Sequence, residues 1–398
     1  MREFTAGDDL EALFDLGQRA FGPAPAEPVA AERRARLEAA VREHRIFGAF
    51  EGRRVVASAR YHDMRQWWHG RSAPMAGVAA VMVAPEHRGQ GVGRALMTAV
   101  LDAIAERGYP LSVLYPATMP IYRSLGWELA GGMHQAVIPA RSLRTFAPTG
   151  VPGETPALSV DQAVLRRAVP GDAAQVVSVV GRAHELARDC GPITRDADTV
   201  ARWLADPDLY SYIADDGFLA YHWHRGNEEI RVERAVAASA QTARAMWSVV
   251  ASHSSIADTV RARVGPADSL WWLTRERDAD LVYRDMWMLR VVDAPAAIAA
   301  RGFPASAELR ARLWIDDPVR DGHSGLWELS VSGGQGTLVA CHDADAPLVL
   351  GARGLAALFA GAPVASLRLA SLAAGGTPEA DRALDGAFAG PAFMLDSF

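Results

Sequence analysis

The sequence predicts a mixed α/β chain of the α+β class, built from three consecutive units. Stretches of helical periodicity alternate with short apolar runs of strand length, and the same order of elements returns once, more faintly, in the second third. Length agrees: at roughly 100–200 residues per domain, 398 residues make two or three domains. Pro/Gly punctuation divides them. Ala147-Pro148-Thr149-Gly150-Val151-Pro152-Gly153-Glu154-Thr155-Pro156 reads as a linker, because proline fixes φ and lacks a donor while glycine loosens the chain. A weaker break falls at Asp293-Ala294-Pro295, with Gly302-Phe303-Pro304 close behind. The expected units are 1–154, 155–293 and 294–398.

In the first unit, Asp8 is positioned to cap a helix running to Ala20, with Leu10, Leu13, Phe14 and Leu16 as its apolar stripe. Residues 31–44 form a second, Arg/Glu-rich helix. Ile46–Phe50 and Arg54–Arg60 flank a turn at Glu51-Gly52-Arg53 and predict a hairpin. Gly77–Val83 reads as a buried strand, Val92–Arg107 as a long amphipathic helix stopped by Gly108, and Leu111–Leu114 as a strand. A short helix at Met119–Leu125 and two strands, Trp127–Ala130 and Gln135–Ile138, complete the unit.

The second unit repeats the pattern: Leu165–Ala168, a helix over Ala173–Arg188, strands Tyr210–Ala214 and Phe218–Trp223 around Asp215-Asp216-Gly217, the strand Ile230–Val236 and the helix Ala240–His253. The third differs. Arg312–Asp317, Gly325–Val331 and Thr337–Cys341 alternate as strands around the Gly333–Gly336 turn, and helices at Ala352–Phe359 and Ala380–Phe388 surround a strand at Ser366–Leu369.

Composition excludes several classes. Half of the residues are hydrophobic and 22% are charged, which supports a buried core and argues against disorder. No apolar run approaches the length of a membrane span, and Met1-Arg2-Glu3-Phe4-Thr5 carries no basic-then-apolar export signal. Two cysteines, Cys190 and Cys341, cannot build a disulfide framework or a four-thiolate zinc site, so the expected location is the cytoplasm. Forty-one basic against 47 acidic residues give a net charge of −6, without the basic stripe that nucleic acid requires. Every basic residue is arginine, so no lysine can serve as a Schiff base or as a target of self-acetylation.

The chemistry is concentrated in Val81-Met82-Val83-Ala84-Pro85-Glu86-His87-Arg88-Gly89-Gln90-Gly91-Val92-Gly93-Arg94. A strand runs through a proline into a glycine-rich turn and then a long helix. Without Cβ atoms at Gly89, Gly91 and Gly93, backbone N–H groups can converge on an anion. The helix N-terminus adds its positive end, and Arg88 and Arg94 add charge-assisted hydrogen bonds. This is a diphosphate cradle. A Rossmann loop needs glycine where Arg94 stands, and a Walker A loop needs a Gly-Lys-Ser/Thr that is absent.

With its preceding strand, the pattern Arg88-x-x-Gly91-x-Gly93 resembles the acyl-CoA site of the GNAT N-acetyltransferases. In that family the strand splays from its neighbour and its free backbone groups pair with the pantetheine arm; here those groups belong to Val81, Met82 and Val83. The stretch Tyr115 to Glu128 resembles the segment in which a tyrosine approaches the CoA sulfur, and Tyr122 is the match. A phenol suits a general acid for a thiolate, its unperturbed pKa being about 10 against about 8.5 for the thiol.

Nearly the whole chain resembles the enhanced intracellular survival (Eis) family, most specifically at Asp63-Met64-Arg65-Gln66-Trp67-Trp68, at the Gly-rich loop and from Tyr115 to Glu128. The resemblance implies tandem GNAT-like domains followed by a sterol-carrier-like α+β domain, the first domain binding acetyl-CoA and the second lacking the motif. It implies a homohexamer that acetylates primary amines (aminoglycoside-like, polyamine or lysine-type), with no metal and no nucleic-acid or membrane partner. Acetyl-CoA, as co-substrate, would contact Val81, Met82, Val83, Arg88, Gly89, Gln90, Gly91, Val92, Gly93 and Arg94, with Ala117 and Thr118 nearby. The resemblance also implies a base, the free carboxylate of Phe398. Solvated, such a group has a pKa of about 3.3–3.7, so it would act by orienting water or the ammonium, or with its pKa raised by burial. The tail Pro391-Ala392-Phe393-Met394-Leu395 is apolar enough to be buried.

The chain departs from family members that place acidic side chains just before the terminus: Ser397 stands there, with Asp396 one place earlier. This argues against a strong aminoglycoside preference. Candidate pocket residues are Phe21, Glu27, Trp67 and Trp68. The second unit reads Val232-Glu233-Arg234-Ala235-Val236-Ala237-Ala238-Ser239-Ala240-Gln241 where the first has its Gly loop, so it is expected to bind no CoA and to serve packing and assembly.

Other clusters read as structural: His222-x-His224 as strand histidines, Asp316-Asp317 and Asp343/Asp345 as solvated turn carboxylates, Trp271-Trp272 as core or interface. Direct transfer in a ternary complex needs no nucleophilic residue, in keeping with the lack of a cysteine near the motif. The alternative is a hydrophobic-ligand carrier or assembly scaffold with vestigial acetyltransferase activity. A protein-lysine acetyltransferase would share the mechanism but needs an open groove.

Overall fold

A computed structural model describes residues 1–23, 29–146, 165–274, 281–342 and 346–398. The linker stretch, Glu27 and the Asp343/Asp345 pair lie outside them.

The first unit contains β1 (Arg2–Glu3), α1 (Leu10–Phe21), α2 (Val29–Arg42), β2 (Ile46–Glu51), β3 (Arg54–Trp68), β4 (Arg71–Val83), α3 (Val92–Glu106), β5 (Leu111–Leu114), α4 (Pro120–Arg123) and β6 (Glu128–Pro139). Asp9, not Asp8, caps α1, accepting from the N–H groups of Glu11 and Ala12; Asp8 instead pairs with Arg2 at 2.6 Å. The two strands expected around Gly131-Gly132 are one, β6. Those glycines are a site of close approach rather than a break: a Cβ at Gly131 would lie 2.2 Å from the carbonyl oxygen of Ala392.

The second unit adds β7 (Arg166–Arg167), α5 (Ala173–Ala187), β8 (Cys190–Thr194), α6 (Ala197–Leu204), β9 (Leu209–Ala214), β10 (Gly217–His224), β11 (Glu229–Ala237), α7 (Ala240–Ser252), β12 (Thr259–Val264), α8 (Leu270–Leu273) and β13 (Leu281–Val291). The third comprises α9 (Ala294–Ala300), β14 (Leu309–Asp316), β15 (Gly325–Ser332), β16 (Gln335–Ala340), β17 (Leu348–Gly351), α10 (Ala352–Phe359), α11 (Val364–Leu369), β18 (Ala373–Gly375) and α12 (Pro378–Ala387). The strand expected at Ser366–Leu369 is helix α11. Its Leu-x-Leu alternation misled: Pro363 opens a turn, and Val364 and Leu367, three apart, are the buried pair while Leu369 is 91% exposed.

Among the described residues the first two units share one 13-stranded sheet, ordered β1-β2-β3-β4-β5-β13-β6-β12-β11-β10-β9-β7, with β8 paired to β3. The units exchange strands. β13 of the second lies between β5 and β6 of the first, and β6 pairs with β12 of the second. The third unit forms a five-stranded sheet ordered β16-β15-β14-β17-β18. One core joins all three units: Trp68 of β3, Cys190 of β8, Trp287 of β13 and Phe359 of α10 belong to it. Arg301 is completely buried there, donating to the carbonyls of Phe359 (2.8 Å) and Phe388 (3.3 Å) beneath the Trp68 ring.

Asp317 is not a solvated turn carboxylate. It is 2% exposed and pairs with the buried Arg290 at 2.5 Å. The Nδ1 of His222 lies 3.1 Å from the carbonyl of Asp208. Trp271 donates to the carbonyl of Gly265, whereas Trp272 is exposed.

Candidate active site

The site begins with a parting of strands. β4 pairs with β5 in parallel only from Met75 to Val78, where β5 ends at Leu114. β4 continues to Val83, still paired on its other edge with β3. Among the described residues, no strand pairs with Ala79–Val83 on the β5 side. The parting coincides with a bulge: Ser58 faces Met82 and Arg60 faces Ala79, so β4 carries an extra residue, and Ala80 takes φ 51. Such a conformation is strained for a residue with a Cβ, and a bulge re-aims a strand. Val81 and Val83 pack against the core beneath α3, while Met82 points the other way, toward α1.

Beyond β4 the chain turns through Pro85–His87 into the glycine loop. Gly89 (φ 75) and Gly91 (φ 79) are left-handed, and a Cβ at either would meet nothing within 4 Å, so the loop is open on that side. Gly91 caps α3 without a side-chain acceptor. The N–H of Ala95 returns to Gly91, which leaves the preceding N–H groups of the first turn directed outward. That turn carries Arg94 and no acid, the reverse of the charge a helix start normally attracts. Arg88 folds back onto the Val83 carbonyl (3.3 Å), and Gln90 donates to that of Glu86 (3.0 Å). At Gly93, α3 approaches Val83 and Ile121 so closely that a Cβ would lie 3.3 and 3.2 Å from them. The strand end, the helix start and α4 thus converge.

Tyr122 sits on α4, 6% exposed, edge-on to Trp127. Burial raises its hydroxyl above the ordinary phenol value. Its helix is pinned by Glu128, which accepts from the neighbouring Arg123 (2.7 Å) and from Arg353 of the third unit (2.7 Å). Ala117 and Thr118, exposed in the loop before α4, line a cleft of about 760 Å³ together with Tyr115, Met133, Asp285 and Ser397. Asp285 was not singled out from the sequence. It comes from β13, and nothing local predicts that this strand inserts beside β5.

The tail closes the other side. Ala392–Leu395 are buried, bridged to Cys190 of β8 and Gly132 of β6. Tyr115 donates its hydroxyl to the carbonyl of Asp396 at 2.6 Å. The Phe398 ring lies edge-on to Tyr115 and His62 and against Gly77, the residue of β4 just before the parting.

Three candidate pocket residues lie elsewhere. Trp68 is completely buried between Trp287 and Phe359. Trp67 donates to Thr194 of β8 (2.9 Å) and faces α5. Phe21, at the end of α1, is 63% exposed and does not line the cleft. The second unit also differs at the equivalent helix start, where Ser239 caps α7 by accepting from the N–H of Thr242. No group of three His, Cys, Asp or Glu able to hold a metal occurs among the described residues, and no helix among them is long and apolar enough to cross a membrane.

Comparison with known proteins identifies the units. Residues 2–130 match an acetyltransferase (GNAT) domain, 191–291 a second acetyltransferase (GNAT) domain, and 294–395 a sterol carrier protein domain. A solved GCN5-related N-acetyltransferase from Kribbella flavida is 42% identical, covers 98% of this chain and 96% of its own, and superposes with a TM-score of 0.91. An uncharacterised N-acetyltransferase of Streptomyces avermitilis is 28% identical over 93% of this chain and 90% of its own length. The N-acetyltransferase Eis of Mycobacterium tuberculosis is 28% identical over 64% of this chain and 65% of its own. Eis1 of Mycobacterium abscessus, 23% identical, shares the fold over 100% of this chain and 99% of its own, with a TM-score of 0.77. The chain therefore belongs to the GCN5-related N-acetyltransferase family: it is an Eis-like acetyltransferase, with tandem GNAT domains that imply acetyl-CoA as co-substrate and a sterol-carrier domain behind them.

Proposed function

We propose that the chain transfers the acetyl group of acetyl-CoA directly to a primary amine of a small molecule, in a ternary complex. The observation that carries this reading is the convergence, around one parted strand, of an uncapped helix start, a buried phenol and the chain's own last residue.

The N–H groups and cations of Arg88–Arg94 hold the CoA diphosphate. The free edge of β4 at Val81–Val83 pairs with the pantetheine arm, and one of its N–H groups polarises the thioester oxygen. Ala117 and Thr118 flank the donor. The acceptor enters the cleft, where Asp285 is the one carboxylate side chain among the described lining residues and Met119, Leu129, Met133 and Met286 are apolar. This lining suits an acceptor with a single ammonium group on an apolar body better than a polycation. The Phe398 carboxylate takes the proton, directly or through water, and the free amine attacks the thioester carbon. As the C–S bond breaks, the Tyr122 hydroxyl protonates the departing sulfur. The attacking nitrogen gives its second proton, through water, to the Tyr122 oxygen and restores the phenol; one N–C bond forms, one C–S bond breaks, and of the two protons the ammonium loses, one ends on the CoA thiol and one on the Phe398 carboxylate, which returns it to solvent.

The domain limits 1–154, 155–293 and 294–398, cytoplasmic location and hexameric assembly belong to the same reading. Mass photometry tests the last. The activity is tested by a thiol-release screen over small amines, aminoglycosides, polyamines and lysine peptides. Acetyl-CoA-dependent release with a small monoamine supports the proposal. No release with any amine, from protein that carries bound lipid, would replace it with the carrier alternative.

A further inference from the structure

Asp396 is 3% exposed and held between two units of the chain. Arg195, just past β8, reaches Oδ1 at 3.0 Å, and Arg234 of β11 reaches Oδ2 at 2.5 Å. Arg195 also donates to the Ser397 carbonyl (3.0 Å), and Arg263 of β12 to that of Leu395 (3.1 Å). Arg263 is itself held by Glu233 at 3.0 Å. Three guanidiniums of the second unit thus grip three consecutive residues just ahead of Phe398.

The origin of Arg234 is telling. β11 pairs with β12 only from Glu229 to Val232, so Arg234 stands on the stretch beyond, the counterpart of the parted stretch of β4. In the first unit that stretch is free. In the second, where the following helix is already capped by Ser239, it turns a buried cation toward the chain's own end.

We propose that the second GNAT-like domain is a seat for the C-terminus, and that Arg195, Arg234 and Arg263 are positioning residues that set Phe398 at the transfer site through Asp396 and the backbone around it. The proposal rests on the reading of Phe398 as the base. A chain end normally frays unless tied down, and a base displaced by about 1 Å can lose on the order of 100-fold in rate. A point charge could replace the fork of Arg195 only in part, because the fork serves a carboxylate and a carbonyl at once. Arg234 and Asp396 are both buried, so removing Arg234 leaves the Asp396 carboxylate to Arg195 alone, and removing Asp396 leaves Arg234 a buried cation that has lost this partner.

The test uses the full chain in four forms: parent, Arg195→Gln, Arg195→Lys, and a chain lengthened by one alanine after Phe398. Arg195 is chosen because it is partly exposed and its loss leaves Asp396 paired with Arg234. Steady-state kinetics with acetyl-CoA and an amine identified in the thiol screen are combined with amide exchange of residues 391–398. Arg195→Gln is expected to lower kcat about 10- to 100-fold at unchanged KM for acetyl-CoA, and to speed exchange at Phe393 and Met394; Arg195→Lys should recover part of kcat. Parent-like kcat in Arg195→Gln, whether or not exchange accelerates, would overturn the proposal. The lengthened chain separates the two claims. If it loses turnover while Arg195→Gln does not, the seat is wrong and the base stands. If it turns over like the parent while Arg195→Gln is slowed, the base is wrong and the seat stands as a wall of the acceptor pocket.

Discussion

Phe398 lies against Gly77 so closely that a Cβ on Gly77 would come within 2.8 Å of its ring carbon Cε2. The last residue of the chain is thereby stacked on the strand that carries the donor site, one residue before β4 loses β5 as a partner. Gly77→Ala should push the ring off β4 without touching the glycine loop. The expected result is a kcat lowered about 10-fold by displacement of the terminal carboxylate, an unchanged KM for acetyl-CoA, and a stability loss of no more than about 1–3 kcal/mol from overpacking. Kinetics and thermal unfolding of the variant check both parts.

Tyr122→Phe keeps the packing on Trp127 and removes one proton. It should lower kcat by about 100-fold or more while acetyl-CoA binds as before by calorimetry. The pH profile gives an independent reading. Burial raises the Tyr122 hydroxyl, so it stays protonated, and able to donate, past the ordinary phenol value of about 10. Activity should climb from neutral pH as the acceptor ammonium deprotonates and show no fall below about pH 10. A fall near the ordinary thiol value of about 8.5 would assign the acid elsewhere.

Glycine at position 91 serves conformation and access together. With φ 79 and open space around it, Gly91→Ala costs about 1 kcal/mol of backbone strain but places a methyl group in the diphosphate cradle. Its dissociation constant for CoA should rise at least about 10-fold. Ser239→Ala, which removes the cap of α7 at a cost of about 1 kcal/mol, should leave CoA affinity and a stoichiometry of one per chain unchanged. Titration calorimetry distinguishes the two.

The seat of the tail has its own pH signature. Burial alone would raise the Asp396 carboxyl, but Arg234 and Arg195 more than reverse it and hold it well below the usual carboxylate range. A carboxyl depressed in the folded state contributes stability above its unfolded pKa, about 3.9, and loses it as pH falls through the folded value. Amide exchange at Phe393 and Met394, corrected for intrinsic rates, should therefore be as protected at pH 5 as at pH 7, and protection should be lost only in stronger acid. Loss of protection between pH 7 and 5 would assign the docking to another group.

Much of this was legible in sequence because its signals are local. The order strand, proline, glycine loop and helix from Val81 to Arg94 needs no distant partner to be read, and the start of α1 was legible to within one residue, Asp9 capping where Asp8 was expected. What the sequence did not reveal is long-range. The exchange of β13 and β6, the delivery of Asp285 to the cleft and the grip of Arg195, Arg234 and Arg263 on the tail each join residues more than a hundred positions apart. The Leu-x-Leu of α11 shows the limit of short patterns, since a six-residue helix and a strand share it. Trp68 was among the candidate pocket residues; the core shared by the three units claims it instead.

The account stands most directly on where acetyl-CoA binds. A crystal structure of the full chain with CoA is expected to show the diphosphate on the N–H groups of Gly91–Arg94, the pantetheine along Val81–Val83 and the sulfur beside Tyr122. Nucleotide density in the second unit beside Ser239, or a sulfur remote from both Tyr122 and Phe398, would contradict it.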